Sequence, residues 1–367
     1  ATFIAYNYNT PVDPHEFERE AKRILEEVRK ECGWMYATLN TEGMSISRET
    51  VEELAERVRQ AKSGDEVKLI VEENSELMGE VQYTVWSDVF ICPNCSQEIV
   101  FWDVAFDQSE GKVKDEFSCP HCFIDSLKKR DLERAWVTKF DPFQNTTVRL
   151  AKQVPVLVNY KAENGRFERA VDSFDLALIE KIEELEIPYW CPTTPVPEGE
   201  KTIEPLRLGI THVHHFYTKR NLRALATLHN EVSKTSVPFL KAWFTSGLQG
   251  TSKMYKFRAN RSMGILSGTL YVASLFTENS VLKHVSYKAR DFARIVLIAS
   301  ERMCLSTGTT SAPTNIPSDS VDYVFTDPPF GGNLMYSELN FLWEAWLGVF
   351  TNNKEEAVEN KVQGKGL

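Results

Sequence analysis

Ser320-Val321-Asp322-Tyr323-Val324-Phe325-Thr326-Asp327-Pro328-Pro329-Phe330-Gly331-Gly332-Asn333 stands near the end of the 367-residue sequence. Val321 to Thr326 is a short run of β-branched and aromatic residues between breakers, the pattern of a buried strand. Asp327 ends it. Two prolines then fix φ and remove two backbone donors, so the chain is expected to leave the sheet as a stiff extended loop. The Asp327 carboxylate and the Pro328 carbonyl are thereby held side by side, next to the Phe330 ring. In an open α/β sheet the carboxyl end of a strand is where ligands bind. Two acceptors beside an aromatic ring suit the exocyclic amino group of a nucleobase. Accepting both of its hydrogens favours a tetrahedral nitrogen whose lone pair can attack a methyl group, while the ring stacks on the base.

Asp327-Pro328-Pro329-Phe330 resembles motif IV of the S-adenosylmethionine-dependent amino-methyltransferases, the Asp/Asn-Pro-Pro-Tyr/Phe signature of enzymes that methylate adenine N6, cytosine N4 or guanine N2. The resemblance implies an α/β fold with part of a Rossmann-like methyltransferase domain and S-adenosylmethionine as methyl donor. It assigns catalysis to Asp327, Pro328, Pro329 and Phe330. It also implies site-specific methylation of a flipped base in double-stranded DNA, in a restriction-modification setting with a restriction or defence nuclease as partner. Adenine N6 is the favoured target, because cytosine N4 enzymes tend to carry Ser where Asp327 stands. Phe in the last position also occurs in ribosomal-RNA guanine-N2 methyltransferases, which makes RNA the alternative substrate. The alternative from another class is a non-catalytic, zinc-dependent DNA-binding subunit.

With 42% hydrophobic and 26% charged residues, the composition is that of an ordinary globular protein. No stretch approaches the roughly 18 consecutive apolar residues of a membrane span, and no signal peptide is visible, so the expectation is a cytoplasmic protein without a membrane partner. The formal net charge is −10, yet the charge is unevenly spread. Residues 1–80 are acidic, whereas residues 219–261 hold nine Lys/Arg against a single acid, Glu231. Such a stretch is either a solvated basic face or a phosphate-facing surface. Within it, Lys253-Met254-Tyr255-Lys256-Phe257-Arg258-Ala259-Asn260-Arg261 interleaves cations with aromatics, which suits phosphate contact plus base stacking. Lys256, Arg258 and Arg261 are the expected nucleic-acid contacts.

Cys92-Pro93-Asn94-Cys95 recurs as Cys119-Pro120-His121-Cys122, with 23 residues between the units. Two such turns on separate hairpins can converge four thiolates on a tetrahedral Zn²⁺ and leave no position open for catalysis. Cys92, Cys95, Cys119 and Cys122 are therefore expected to hold a structural zinc, and the arrangement resembles a zinc ribbon. His121 is an alternative ligand, read as a bystander because four thiols are present. Cys32, Cys191 and Cys304 are isolated and read as plain buried thiols.

Along the chain, Asp13-Pro14-His15-Glu16 is a helix start, followed by Phe17, Ala21, Ile24 and Val28 at helical spacing. A second helix is expected from Ser47 to a stop at Gly64. Strands are expected at Val67–Val71, Val81–Val85, Ala135–Phe140, Thr146–Leu150, Val154–Tyr160, Phe167–Val171 and Gly268–Ala273. Helices are expected at Ser173–Glu186, from Leu222, at Ser286–Met303 and after Asn333. His212 and His214 would share one face of a strand, but no third metal ligand is evident nearby. Phe216 to Leu222 resembles a stretch that recurs in zinc-ribbon-containing DNA methylases.

The expected organisation is a helical part at 1–65 that packs on the catalytic domain, a zinc-ribbon insert at 66–130, a small β-rich recognition unit with a linker at 131–205, and a helical recognition segment with the catalytic motif at 206–367. A glycine-rich cofactor turn is not found. Thr245 to Gly250 and Met263 to Gly268 have the glycines without the strand before them, so neither is assigned to S-adenosylmethionine. Only 37 residues follow Phe330, too few for the strands that the resemblance implies after motif IV. The expectation is an internal fragment of a longer methylase.

Overall fold

A computed structural model describes residues 2–260, 264–294, 316–325, 334–355 and 358–366. In chain order these form α1 (Thr2–Asn9), α2 (Pro14–Cys32), β1 (Ala37–Leu39), α3 (Arg48–Gln60), α4 (Gly64–Glu73), β2 (Met78–Ile91), β3 (Glu98–Val100), α5 (Phe101–Ala105), β4 (Phe106–Asp107), β5 (Lys112–Val113) and β6 (Glu133–Arg134). There follow β7 (Trp136–Asp141), β8 (Thr146–Ala151), β9 (Gln153–Ala162), β10 (Gly165–Ala170), α6 (Ser173–Glu184), α7 (Ile203–Leu206), α8 (Lys219–Ser233), α9 (Leu240–Gly247), β11 (Leu275–Asn279), α10 (Val281–Ala293), α11 (Tyr336–Leu339) and α12 (Phe341–Leu347).

The fold is mixed α/β around an antiparallel sheet whose spine is β2. β9 takes one edge of β2 over residues 80–88, so β1 and β11 share the other edge. β10 extends the sheet beyond β9, and β3 and β6 pair with the last residues of β2. Among the described residues every strand pairing is antiparallel. The expected segments 66–130 and 131–205 meet here, since β2 comes from the first and β9 from the second.

Two apolar clusters flank this spine. The larger joins Phe17, Ile24 and Val28 of α2 to Trp243 of α9, Val285 of α10 and Trp346 of α12. The smaller surrounds Cys92 and Cys119 with Phe90, Ile99, Phe101, Trp102 and Leu127. β2 threads both clusters, Val81 lying in the first and Val85 in the second. A buried ion pair ties the sheet to α8. Arg220 reaches Glu278 of β11 (2.7 Å) and Thr84 of β2 (2.9 Å), and Trp86 donates to the same Glu278 (2.7 Å). No helix among the described residues is long and apolar enough to cross a membrane.

Several elements differ from the sequence reading. Val67–Val71 is helix α4, not a strand: the Ser63 side chain caps the Glu66 N–H, and Val67, Ile70 and Val71 bury one helical face. Gly64 therefore opens a helix, and α3 ends earlier, at Gln60. Gly268 bends the chain at φ 71°, and the strand forms at Leu275–Asn279, beyond the expected Gly268–Ala273. The helix expected from Ser286 already starts at Val281, capped by Ser280, and residues 295–303 of that expectation lie outside the described residues. Val321–Phe325 is not a buried strand. Val321, Tyr323 and Phe325 are 50%, 79% and 81% exposed and have no ladder partner among the described residues. An apolar run without a sheet beside it has nothing to pair with, and isolated strands do not persist in water.

Candidate metal centre and nucleic-acid interface

The two Cys-x-x-Cys turns are built alike. Cys92 N–H donates to the Gln97 carbonyl (2.9 Å) and Ser96 N–H to the Cys92 carbonyl (3.0 Å). Cys119 N–H donates to the Ile124 carbonyl (3.0 Å) and Phe123 N–H to the Cys119 carbonyl (3.0 Å). In each turn the residue four after the first cysteine is left-handed, Ser96 at φ 59° and Phe123 at φ 58°. A non-glycine residue holds that conformation only where its surroundings impose it. Two independent turns with the same bend indicate one geometric demand, the gathering of both thiols on one side.

Across the module, Cys92 Sγ lies 3.7 Å from Cys122 Sγ, and Cys95 Sγ lies 3.8 Å from Cys119 Sγ. These separations are far longer than the roughly 2.05 Å of a disulfide. A tetrahedron with metal–sulfur bonds of about 2.3 Å has edges of about 3.8 Å. The four sulfurs can thus hold a metal ion such as zinc. Hydrogen bonds from the Asn94 side chain and the Ile124 amide pull the Cys122 thiol down to about 6, whereas burial and the neighbouring thiols push Cys95 up. His121 is not among the grouped ligands; its Nε2 lies 3.0 Å from the Glu98 carbonyl. Cys32 and Cys191 are buried, and burial pushes both thiols up to about 12, as expected of inert side chains. Cys304 lies outside the described residues.

The segment carrying Lys256 and Arg258 is laid against this module. Phe257 N–H donates to the Leu275 carbonyl (3.0 Å), and the Phe257 ring packs edge-on against Trp102 (5.5 Å) and Phe106 (5.4 Å). Phe257 is therefore an anchor, and it also lines the adjacent groove. With Phe257 turned inward, its neighbours Lys256 and Arg258 are exposed, and neither makes a salt bridge among the described residues. Between the segment and the module runs a groove of about 860 Å³, lined by Phe101, Phe106, Lys129, Lys256, Arg258 and Tyr271. Lys112 and Glu110 also line it and face each other at 3.9 Å, leaving three cations without a paired acid in the lining. Burial lowers the Lys129 pKa; the Asp88 and Glu204 charges oppose the shift, and those of Arg134 and Lys256 add to it. An excess of like charge around a concave surface attracts an anion.

Sequence reasoning missed Lys129 and Tyr271, although Lys128-Lys129-Arg130 is a visible basic run beside the second cysteine turn. Arg261, Asp327, Pro328, Pro329 and Phe330 lie outside the described residues. Of the glycines in the two stretches without an assigned cofactor role, Gly247 and Gly250 are closely packed: a Cβ on Gly247 would meet Val285 at 2.9 Å, and one on Gly250 would meet His284 at 2.3 Å.

The histidines also group differently from the sequence reading. Val213–Phe216 is a 3₁₀ turn, not a strand, so His212 and His214 do not form the pair. His214 Nε2 (2.8 Å) and His215 Nε2 (3.0 Å) instead converge on Asp141 Oδ2, a residue more than seventy positions earlier. Burial lowers both imidazole pKa values, that of His215 to about 4, so both rings are neutral at physiological pH.

No protein-family model matches this chain, and no curated protein and no solved structure is found similar to it.

Proposed function

We propose that this protein binds DNA through the groove beside the four-cysteine module and methylates an exocyclic amino group, with adenine N6 as the favoured target. The observation that supports the reading is the groove itself: Lys129, Lys256 and Arg258 line one concave surface together with aromatic side chains. Cations suit phosphates, and rings suit bases. In this reading zinc is the ion held by Cys92, Cys95, Cys119 and Cys122, and its role is structural, since four thiolates leave no open position. S-adenosylmethionine supplies the methyl group, and Asp327 to Phe330 act on the flipped base within a Rossmann-like domain in the cytoplasm. No described residue is assigned to the methyl donor.

The second reading, a zinc-dependent DNA-binding protein without catalysis, is favoured by one observation. Val321–Phe325 is exposed and unpaired, so the described residues lack the strand that would position the motif. The two readings separate in a methyl-transfer assay with the product of the whole open reading frame, labelled S-adenosylmethionine and duplex DNA. Methylated adenine in the wild type, cut about 100-fold or more by Asp327→Ala with DNA binding intact, supports catalysis, because a contact made only in the transition state costs turnover on that scale. DNA binding without any methyl transfer supports the second reading.

A further inference from the structure

Asp141 ends β7, in the turn that carries the chain into β8, and His214 and His215 sit in the 3₁₀ turn before α8. All three side chains are buried. The two imidazole Nε2 atoms lie 2.8 and 3.0 Å from one carboxylate oxygen, and all three donor atoms fall within 4.8 Å of one another. The other carboxylate oxygen accepts the Phe143 N–H at 2.9 Å, which fixes the orientation of the carboxylate. Metal–nitrogen and metal–oxygen bonds of about 2.1 Å set adjacent ligand atoms roughly 3 Å apart in octahedral geometry. The two nitrogen–oxygen separations, 2.8 and 3.0 Å, are at that spacing and a few tenths of an ångström short of the roughly 3.4 Å edge of a zinc tetrahedron, so the side chains need only a small outward shift to take up an ion. A purely hydrogen-bonded triad is less well satisfied: both rings must donate through Nε2–H, which leaves the His214 Nδ1 lone pair buried with no hydrogen-bond partner. Ligation through Nε2 would leave that nitrogen as an N–H, beside the Phe143 ring at 5.1 Å between centroids.

We propose that Asp141, His214 and His215 form a second metal centre, for a divalent ion of the zinc class, which clips the β7–β8 hairpin to the start of α8. Two imidazoles and a carboxylate suit zinc, manganese, iron or nickel better than calcium or magnesium. The ligands come from the end of β7 and from the turn before α8, so an ion held there would join the two. Three protein ligands leave further positions to water or to His212, whose ring lies 5.6 and 5.5 Å from the rings of His214 and His215. Among the described residues β7 and β8 form a two-stranded sheet of their own, tied to its surroundings through bonds at its base such as Ala151 N–H to the Leu208 carbonyl, and a two-stranded sheet is marginal alone, so a clip at its turn would add support.

The test is a metal count on the purified full chain, loaded with zinc and freed of excess by gel filtration. Two equivalents per chain are expected, falling to one in Asp141→Asn, which keeps the shape of the carboxylate and the four-cysteine module. Cobalt substitution gives the independent readout: Asp141→Asn retains the intense thiolate charge-transfer bands and loses a weaker visible set. One equivalent in the wild type, or two retained in Asp141→Asn, overturns the proposal. Should Asp141→Asn fail to fold, the wild-type count still decides, one equivalent against it and two for it.

Discussion

Replacing Lys256 and Arg258 together by glutamine should weaken nucleic-acid binding without destabilising the fold. Both side chains are exposed and make no salt bridge among the described residues, so the folded state loses little. Three cations in the groove, Lys129, Lys256 and Arg258, have no paired acid in its lining. If each meets one phosphate, the slope of log K against log salt is about −2.7 for duplex DNA and about −2.1 for a single strand. Raising salt from roughly 50 to 200 mM then costs about 40-fold in duplex affinity for the wild type. In the double variant one contact remains, the slope falls to about −0.9, and the same salt change costs only about 3.5-fold. The assay is fluorescence anisotropy with labelled duplex and single-stranded oligonucleotides of several sequences, titrated at four salt concentrations. Phosphate contacts carry no sequence information, so the loss should be uniform across sequences. A slope unchanged by the double substitution would refute the groove as the binding surface, whatever the affinity.

Three further outcomes follow from the same geometry. Cys119→Ser should lose the metal and, with it, salt-sensitive DNA binding, because the groove wall at Phe101 and Phe106 belongs to the cysteine module; structural zinc sites contribute on the order of 10 kcal/mol to such modules, and a metal-free variant that binds DNA normally would contradict this. Acidification should destabilise the protein through His284, whose pKa is pushed down to about 4 by burial and by Lys288 and Lys283. The unfolded chain takes up this proton first, so stability falls as pH drops from about 6.5 towards 4, by about 2 kcal/mol at pH 5; urea midpoints of wild type and His284→Leu, measured at pH 7 and 5, should show a smaller drop in the variant. Glu278→Gln should cost about 3–5 kcal/mol in chemical denaturation, because it leaves the buried Arg220 charge without its partner, whereas Arg220→Met with Glu278→Leu should cost much less.

Where the chemistry is local, the sequence was readable. The cap at Asp13, the spacing of Phe17, Ala21, Ile24 and Val28, and the doubled cysteine turns act within a few residues, and the structure reproduces all of them. Strands β7 to β10 were legible for the same reason, since alternation and turn residues such as Asn164-Gly165 are short-range signals. Val67–Val71 was misread because a five-residue apolar run fits a strand or one helical face equally well, and the deciding residue, the Ser63 cap, lies outside the run. Long-range pairing was not legible. Nothing in the spacing of residues 78–91 says that one strand will serve β1, β11 and β9 at once.

The sites divide along the same line. Cys92 to Cys122 could be read because each pair of ligands is a local turn and the pairs repeat. Asp141 could not be joined to His214 and His215 from sequence, since the contact depends on the β7–β8 turn packing against the approach to α8. The groove required both kinds of information. Its cations at 256 and 258 were visible as a basic, aromatic run, but the partner wall at Phe101, Phe106 and Lys129 comes from a region more than a hundred residues earlier. What joins the two walls is Phe257, which packs on Trp102 and Phe106. The alternation of a strand-like segment then turns Lys256 and Arg258 outward together. A single apolar anchor thereby converts a basic stretch of sequence into one charged wall of a concave surface.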